Sequence, residues 1–174
     1  KAMADGMPAI AITDHGNMFG IKEFYNYVSK KNSKTRGAIK DALAAAKEAE
    51  EAGNAEEALL VHRDVAAQFL PMLKARLVDA HAAAGITPVE LHLDARAAAI
   101  IDGVPAAPQD FDTEYLDYKL SVAVVDDVDA AIAHIAKHST HHSEAIVTAD
   151  AAAAQRFTTC VDSAAVYVDA STRF

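Results

Sequence analysis

Short apolar segments alternate with helical segments along most of this sequence, and this alternation is the feature that most constrains the fold. Apolar runs at Ala58–His62, Leu120–Val125 and Ala145–Thr148 are each followed by a segment of helical character. Strands joined by helices are typical of a parallel sheet with right-handed crossovers, and continuous apolar runs indicate strands buried on both faces. We therefore predict an α/β fold in which a mostly parallel sheet carries helices on both faces, as a three-layer sandwich.

The amino-terminal part predicts a strand, a polar turn and a helix. The strand is Ala9–Thr13, and the next apolar positions recur at helical spacing. Further along the chain, Asp64 is the predicted N-cap of a helix over Val65–His81, since its carboxylate can accept from the first free N–H groups. Pro71 predicts a kink in that helix or a first turn that begins later. Two further strands are predicted at Val89–Leu93 and Ala164–Val168.

Size and charge narrow the classes of function. The chain has 174 residues and a formal net charge of −9, which fits a single domain and excludes a binder of the nucleic-acid backbone, since such a binder needs a basic surface. No apolar run approaches the ~20 residues of a membrane-spanning helix. The single Cys160 excludes a disulfide scaffold, and with no secretory leader we expect a cytoplasmic protein. A homodimer formed through exposed apolar surface is a further expectation.

The first 34 residues contain a motif of recognisable type. The segment AIAITDHGNMFGIKEFYNYVSKK resembles a metal-site motif of the polymerase and histidinol phosphatase domain of bacterial replicative DNA polymerase alpha subunits. That resemblance implies that His15, with Asp14 beside it, is one ligand of a metal cluster. Hydrolysis by such a centre needs two or three cations held by many ligands, and the family's other motifs are absent from this sequence. We therefore interpret this pair as a vestigial metal site.

A second resemblance covers most of the remaining chain, from about residue 38 to residue 174. The segments NAEEALLVHRDVAAQFLP, DTEYLDYKLSVAVVDDVDAAIAHIAKH and VDSAAVYVDASTRF are similar to gamma-glutamyl phosphate reductase, also called glutamate-5-semialdehyde dehydrogenase. The resemblance implies the catalytic-domain fold of the aldehyde dehydrogenases. Within one domain over 1–174 we therefore expect a strand-loop-helix segment at 1–34, a linker and helix at 35–53 and a reductase-like segment at 54–174.

The reductase resemblance also implies positions for the reacting groups. The family's nucleophilic cysteine precedes an Asn-Ala pair, and this chain has Gly53 before Asn54. Glycine has no side chain that could replace a thiolate. Cys160 falls late in a predicted helix, where a small apolar role is expected. We therefore expect no catalytic residue at position 53.

The same resemblance implies residues around the cofactor and the substrate. Glu114 matches the family glutamate that approaches the nicotinamide ribose of NADPH, and Ser171, Thr172 and Arg173 match a segment near the substrate pocket. Asp169 stands where the family has asparagine, and no glycine-rich phosphate loop is present. We expect no bound cofactor, or NADPH if the chain acts as a reductase.

Two histidines one helical turn apart form a further candidate site. The spacing of His134 and His138 can place two imidazoles on one metal ion. No cysteine is near them in the sequence, and imidazoles are favoured near the carboxyl end of a helix by its dipole. We expect adventitious binding of a divalent metal at this pair.

Three functional hypotheses follow from these motifs. The leading one is an engineered or recombined chimeric scaffold with no native catalytic activity, because the two resemblances meet near residues 35–38 and each lacks its reacting group. The second is a fragment of an NADPH-dependent gamma-glutamyl phosphate reductase of proline biosynthesis. The third is a fragment of a metal-dependent phosphoesterase.

Overall fold

The structure is a computed structural model that describes residues 10–14 and 56–170; for residues 10–14 and Glu56 only the backbone is described. Within these ranges seven strands form one sheet in the order β4-β3-β5-β2-β1-β6-β7. The strands are β1 (Ile10–Asp14), β2 (Glu56–His62), β3 (Glu90–Leu93), β4 (Val104–Pro105), β5 (Lys119–Val125), β6 (Ser143–Val147) and β7 (Ala165–Val168).

The described strands are parallel to one another except β1. This strand lies between β2 and β6 and is antiparallel to both, so that Ile12 pairs with Leu59 on one side and with Ala145 on the other. β2 and β6 therefore run in the same direction without pairing with each other. The predicted mostly parallel sheet is confirmed, and the predicted first strand does lie beside the strand at residues 58–62.

Helices follow the strands as the alternation predicts. They are α1 (Arg63–Lys74), α2 (Ala80–Ala83), α3 (Ala95–Ala98), α4 (Val128–His138) and α5 (Ala151–Cys160), with a π-helical segment over Ala75–Asp79 and a 3-10 turn over Pro108–Asp112.

The start of α1 differs from the prediction. His62 is the N-cap, because its Nδ1 accepts a hydrogen bond from the backbone N–H of Asp64 at 3.1 Å. The prediction that Asp64 caps this helix is wrong, and so is the alternative of a first turn that begins after Pro71. Pro71 lies inside α1, and the helix changes to the π-helical segment one turn later.

The two faces of the sheet are covered by different helices. Leu59 and its neighbours on one face pack against apolar side chains of α1 and α3, such as Phe69. Leu60, which points to the other face because strand side chains alternate, packs with Ile135 of α4 and Phe157 of α5. The helices therefore lie on both faces, as predicted, and two apolar cores enclose the sheet.

Asp94 connects a helix end to the centre of the sheet. Its Oδ1 accepts from the N–H of Ala97 at 2.7 Å, which caps α3, and its Oδ2 accepts from the N–H of Val124 in β5 at 3.1 Å. One carboxylate therefore accepts from two backbone donors, one in the first turn of α3 and one in β5.

Replacing Asp94 should destabilise the fold measurably. We expect Asp94→Ala to lower the free energy of unfolding by about 1–3 kcal/mol, since it removes an N-cap and leaves the N–H of Val124 without its partner. Urea denaturation would measure the change. Asp102→Ala, which removes an exposed carboxylate, is the matched control and should stay within about 0.5 kcal/mol of the parent. Equal stabilities of the two variants would contradict the role given to Asp94.

A carboxyl group is buried in β6. Glu144 is 1% exposed and lies on the same face of the sheet as Ile146, towards α4 and α5. Its Oε1 accepts from the hydroxyl of Ser139 and, at 3.4 Å, from that of Ser163. Burial raises the pKa of Glu144 to about 7, and the two hydroxyl hydrogen bonds offset that effect only in part. The neutral acid is therefore the favoured form below neutral pH.

The stability of the folded protein should fall as this group ionises. The pKa of Glu144 is about 7 when folded against an ordinary 4.5, so the folded state holds the extra proton between these values, and stability decreases as pH rises through that range. Urea denaturation between pH 4 and 8 would show a loss of stability in the parent. In Glu144→Gln that loss should be smaller by up to about 3 kcal/mol, and the remainder includes Glu57, whose pKa is also raised to about 7. Parallel pH profiles for parent and variant would contradict this assignment. Asp102→Asn is the control.

Two predictions concern the protein surface: that no helix spans a membrane, and that exposed apolar side chains form a homodimer. None of the described helices is long and apolar enough to cross a membrane. Among the described residues, exposed apolar side chains include Leu116 at 74% and Ile86 at 44%. The homodimer, the cytoplasmic location and the division of the chain at residues 34 and 53 remain predictions.

Candidate functional site

A polar cavity opens at the amino-terminal ends of the parallel strands. It lies between the starts of β2 and β6 and is bordered by the 3-10 turn and by the carboxyl end of α4. Its volume is about 30 Å³, enough for a few water-sized groups. Six titratable side chains contribute to its lining: Glu57, Asp110, Asp112, Glu114, Glu144 and His138.

The wall formed by the 3-10 turn is held in place by two histidines. On one side, Asp110 Oδ2 lies 2.9 Å from Nδ1 of His92 in β3. On the other, Asp112 Oδ1 lies 2.7 Å from Nδ1 of His138 at the end of α4. The turn therefore bridges the sheet and the helix layer, and its two carboxylates keep fixed positions beside the cavity.

The imidazole of His92 lies between two carboxylates. Besides Asp110, it contacts Glu90 Oε1 through Nε2 at 2.7 Å. Burial opposes a charge on His92, but the hydrogen bonds to Asp110 and Glu90 outweigh it and raise its pKa. The bond from His92 in turn lowers the pKa of Asp110. The pair favours a charged imidazolium beside a charged carboxylate.

A second set of hydrogen bonds places Glu114. Tyr115 OH lies 2.8 Å from Ser121 Oγ, and that hydroxyl donates to the backbone oxygen of Asp110 at 3.0 Å. The ring of Tyr115 also lies 5.2 Å from that of His92. Glu114 thus stands between the anchored 3-10 turn and the anchored Tyr115, and this local structure brings it to the cavity.

Two glutamates at the cavity influence each other. Burial, and then the like charge of Glu114, raise the pKa of Glu57 to about 7. A carboxyl group with such a pKa can take up or release a proton near neutral pH. The cavity therefore holds two groups of this kind, Glu57 on β2 and Glu144 on β6.

The predicted histidine pair lies beside the cavity. The rings of His134 and His138 are 4.5 Å apart, and Phe111 meets His134 edge-on at 5.0 Å. Burial, followed by the neighbouring His138, lowers the pKa of His134 to about 4, and its Nε2 has no hydrogen-bond partner. One nitrogen of His138 is engaged by Asp112. Among the described residues no group of three or more side chains is arranged to hold a metal ion, and metal binding by the pair remains a prediction.

The other predicted site residues lie largely outside the described residues. His15, Gly53 and Asn54 are among these, as are Ser171, Thr172 and Arg173, and only the backbone of Asp14 is described. Their proposed roles stay predictions. Cys160 is half-buried at the end of α5 and does not line the cavity.

Sequence reasoning missed most of the cavity's carboxylates. Of the five, only Glu114 was a candidate. A signal was present for two others, because Glu57 and Glu144 each stand immediately before a buried apolar run, at the same end of parallel strands. Polar groups at such strand ends converge in space even when they are far apart in the chain.

Curated relatives are gamma-glutamyl phosphate reductases. The protein of that name from Streptococcus pneumoniae serotype 19F is 57% identical over 121 residues, which are 70% of this chain and 29% of the relative. The serotype 4 protein is 56% identical over the same length. The chain thus spans less than a third of the relatives it matches.

A solved structure of the same kind supports the fold. Gamma-glutamyl phosphate reductase from Thermotoga maritima superposes with a TM-score of 0.61 at 43% identity, over 68% of this chain and 27% of that protein. The predicted reductase resemblance is confirmed over about 70% of the chain. The prediction of an engineered scaffold without catalysis is wrong, because the relatives over this segment are reductases at 56–57% identity.

A family model covers the amino-terminal part as well. The model described as the PHP domain matches residues 1–157, a longer interval than the first 34 residues to which the sequence motif pointed. The reductase alignment spans 121 residues, and only residues 158–174 lie outside the interval of the family model. The two matches must therefore overlap. The architecture of the described residues is similar to that of the superposed reductase structure. The chain belongs to the PHP domain family over residues 1–157, and most of its length is at the same time similar to gamma-glutamyl phosphate reductase.

Proposed function

We propose that this chain carries the substrate-binding face of a gamma-glutamyl phosphate reductase, an NADPH-dependent enzyme of proline biosynthesis. The observation that carries the proposal is the 57% identity over 121 residues to a reductase of that name. The position of the cavity supports it. Glu57 lines the cavity and follows Gly53, the residue that the resemblance aligns with the family's nucleophile, by four positions, and Glu114 lines the same cavity.

The reaction of this class begins with attack of a thiolate on an acyl phosphate. The carbon–sulfur bond forms as the bond from carbon to the phosphate oxygen breaks, and phosphate leaves with the bonding electrons. Gly53 cannot supply the thiolate. The chain's own residues would bind and orient the substrate, and Glu57 would hold or release a proton at the cavity, where its pKa of about 7 suits neutral pH.

NADPH supplies the hydride in this class of enzyme. Glu114 and Glu57 can accept hydrogen bonds from ribose hydroxyls. The phosphates of the dinucleotide do not fit the described cavity, because neither lysine nor arginine is among its lining residues and the carboxylates would repel them. The described residues therefore match only the ribose end of the cofactor, and the phosphates would require residues elsewhere.

Restoring the nucleophile is the direct test of this proposal. We expect Gly53→Cys to accept an acetyl group from acetyl phosphate, because position 53 is the one that the reductase resemblance aligns with the nucleophilic cysteine. Intact-mass spectrometry would detect the added group, and the Cys160→Ala background would ensure that only the introduced thiol is counted. We expect labelling at least about tenfold faster than that of Cys160 in the parent. Equal rates for the two thiols would refute the placement of the reacting centre.

A second candidate function rests on the match of residues 1–157 to the PHP domain model. We propose a metal-dependent phosphoesterase activity in which His15 and Asp14 are metal ligands. A divalent cation in such a site would polarise the phosphoryl oxygen and supply a bound water for attack.

This second candidate predicts a metal-stimulated rate. Hydrolysis of p-nitrophenyl phosphate should rise on addition of Mn²⁺ and fall at least about tenfold in His15→Ala, since loss of a ligand weakens metal binding. His141→Ala, which removes an exposed histidine, is the control and should keep the parental rate. A rate independent of Mn²⁺, or unchanged in His15→Ala, would eliminate this candidate.

A further inference from the structure

We propose that residues 106–118, the strap, are a pH-sensitive cover of the cavity, held in place while His92 is a charged imidazolium and loosened when His92 loses its proton. The strap connects β4 to β5 and contains the 3-10 turn. It supplies five residues of the cavity lining, at positions 110–114. The inference concerns the opening of the cavity and not its contents, so it goes beyond the proposed function and does not depend on it.

The strap is fixed to β3 at both of its ends. The N–H of Ala106 donates to the backbone oxygen of Leu93 at 2.8 Å, and the N–H of Glu90 donates to that of Tyr118 at 2.8 Å. Between these ends, Phe111 packs against the apolar core on the side of α4. The polar anchors between the ends are the contacts Asp110–His92, Asp112–His138 and Tyr115–Ser121, together with the bond from the Ser121 hydroxyl to the backbone oxygen of Asp110.

The anchor at His92 depends on the charge of its ring. Nδ1 lies 2.9 Å from Asp110 Oδ2, and Nε2 lies 2.7 Å from Glu90 Oε1. A carboxylate oxygen only accepts, so both contacts are hydrogen bonds only when both ring nitrogens carry a proton, as they do in the imidazolium. A neutral imidazole has one N–H. Loss of the proton therefore removes one of the two hydrogen bonds and deprives the other of charge assistance, which makes such bonds about twice as strong.

The neighbouring charges determine which contact is lost. Glu90 is 48% exposed, and its Oε1 also lies 3.8 Å from Nζ of Lys119, so it can turn to that ammonium group and to solvent. Asp110 is 16% exposed and remains in the turn. The strap then keeps one neutral hydrogen bond to His92. The charged and titratable side chains around His92 are Glu90, Asp110, Tyr115 and Lys119, with Asp117 beside Lys119.

The direction of the response follows from the pKa of His92. Burial lowers this pKa, but the hydrogen bonds to the two carboxylates outweigh burial and raise it above the ordinary 6.5. The charged anchor is therefore complete below pH 6.5 and is lost as the pH rises through the raised value. His138 meets Asp112 through one nitrogen and can keep that hydrogen bond as a neutral imidazole. Burial raises the pKa of Tyr115, which stays a neutral phenol. The strap should therefore loosen on the alkaline side of neutrality.

Hydrogen exchange followed by mass spectrometry tests this inference on the unchanged chain. After correction for the intrinsic pH dependence of exchange, we expect the protection of the strap relative to β5 to fall about fivefold from pH 6 to pH 9, because a charge-assisted bond becomes a neutral one. His92→Gln should show no such fall. Asp110→Asn should show none either, since it keeps an oxygen for the N–H of Ala107 but removes the charge. His141→Gln, which removes an exposed histidine outside the strap, is the control and should behave as the parent.

Two results would overturn the inference. Equal relative protection of the parental strap at pH 6 and pH 9 would show that the proton of His92 does not hold it. The same fall in the parent and in Asp110→Asn would assign the response to another group, and this variant decides alone if His92→Gln lacks the parental circular dichroism spectrum. Hydrogen exchange needs neither substrate nor nucleophile, so its outcome is independent of the acylation test of Gly53→Cys.

Discussion

The pairing of β1 between β2 and β6 is the interaction on which the rest of the structure depends. Neighbouring strands in a sheet lie about 4.8 Å apart, so one intervening strand holds β2 and β6 about 10 Å apart. The cavity lies at the amino ends of these two strands, and the two glutamates whose pKa is raised, Glu57 and Glu144, come one from each. Without β1, the sheet would divide into β4-β3-β5-β2 and β6-β7, and the walls of the cavity would lose their fixed separation.

This strand also relates the two family matches. β1 belongs to the segment whose motif resembles the PHP domain, and its partners β2 and β6 belong to the segment that is similar to the reductases. Its antiparallel direction lets it satisfy the backbone groups of two strands that run the same way. The sheet is therefore continuous from β2 to β6, and all three strands lie within the interval that the PHP domain model matches.

Much of the fold was predictable from the sequence, because strands and helix ends are indicated by residues that are close together in the chain. Buried strands show as apolar runs, and Asp127 and Asp150 occupy the N-cap positions that their sequence context indicates. The direction of β1 was not predictable, since periodicity carries no information on strand polarity. The sequence did not predict His62 as the N-cap of α1, because histidine is not among the residue types preferred at that position. Of the side chains that line the candidate site, the sequence analysis named Glu114 and His138. The burial of Glu144 arises from the α4 and α5 layer, which a single strand's pattern does not show.

The register of β1 has a consequence for the order of folding. Ile10 pairs with Val61 and with Val147, so both ladders of this strand join residues that are far apart in the chain. Closing such long loops costs entropy before any contact compensates for it, and non-local pairings of this kind slow folding. The pairing of β3 with β5 closes a shorter loop, since Glu90 pairs with Lys119. The ladder between β1 and β6 joins the residues that are farthest apart in the chain, and it is therefore the last part of the sheet expected to form.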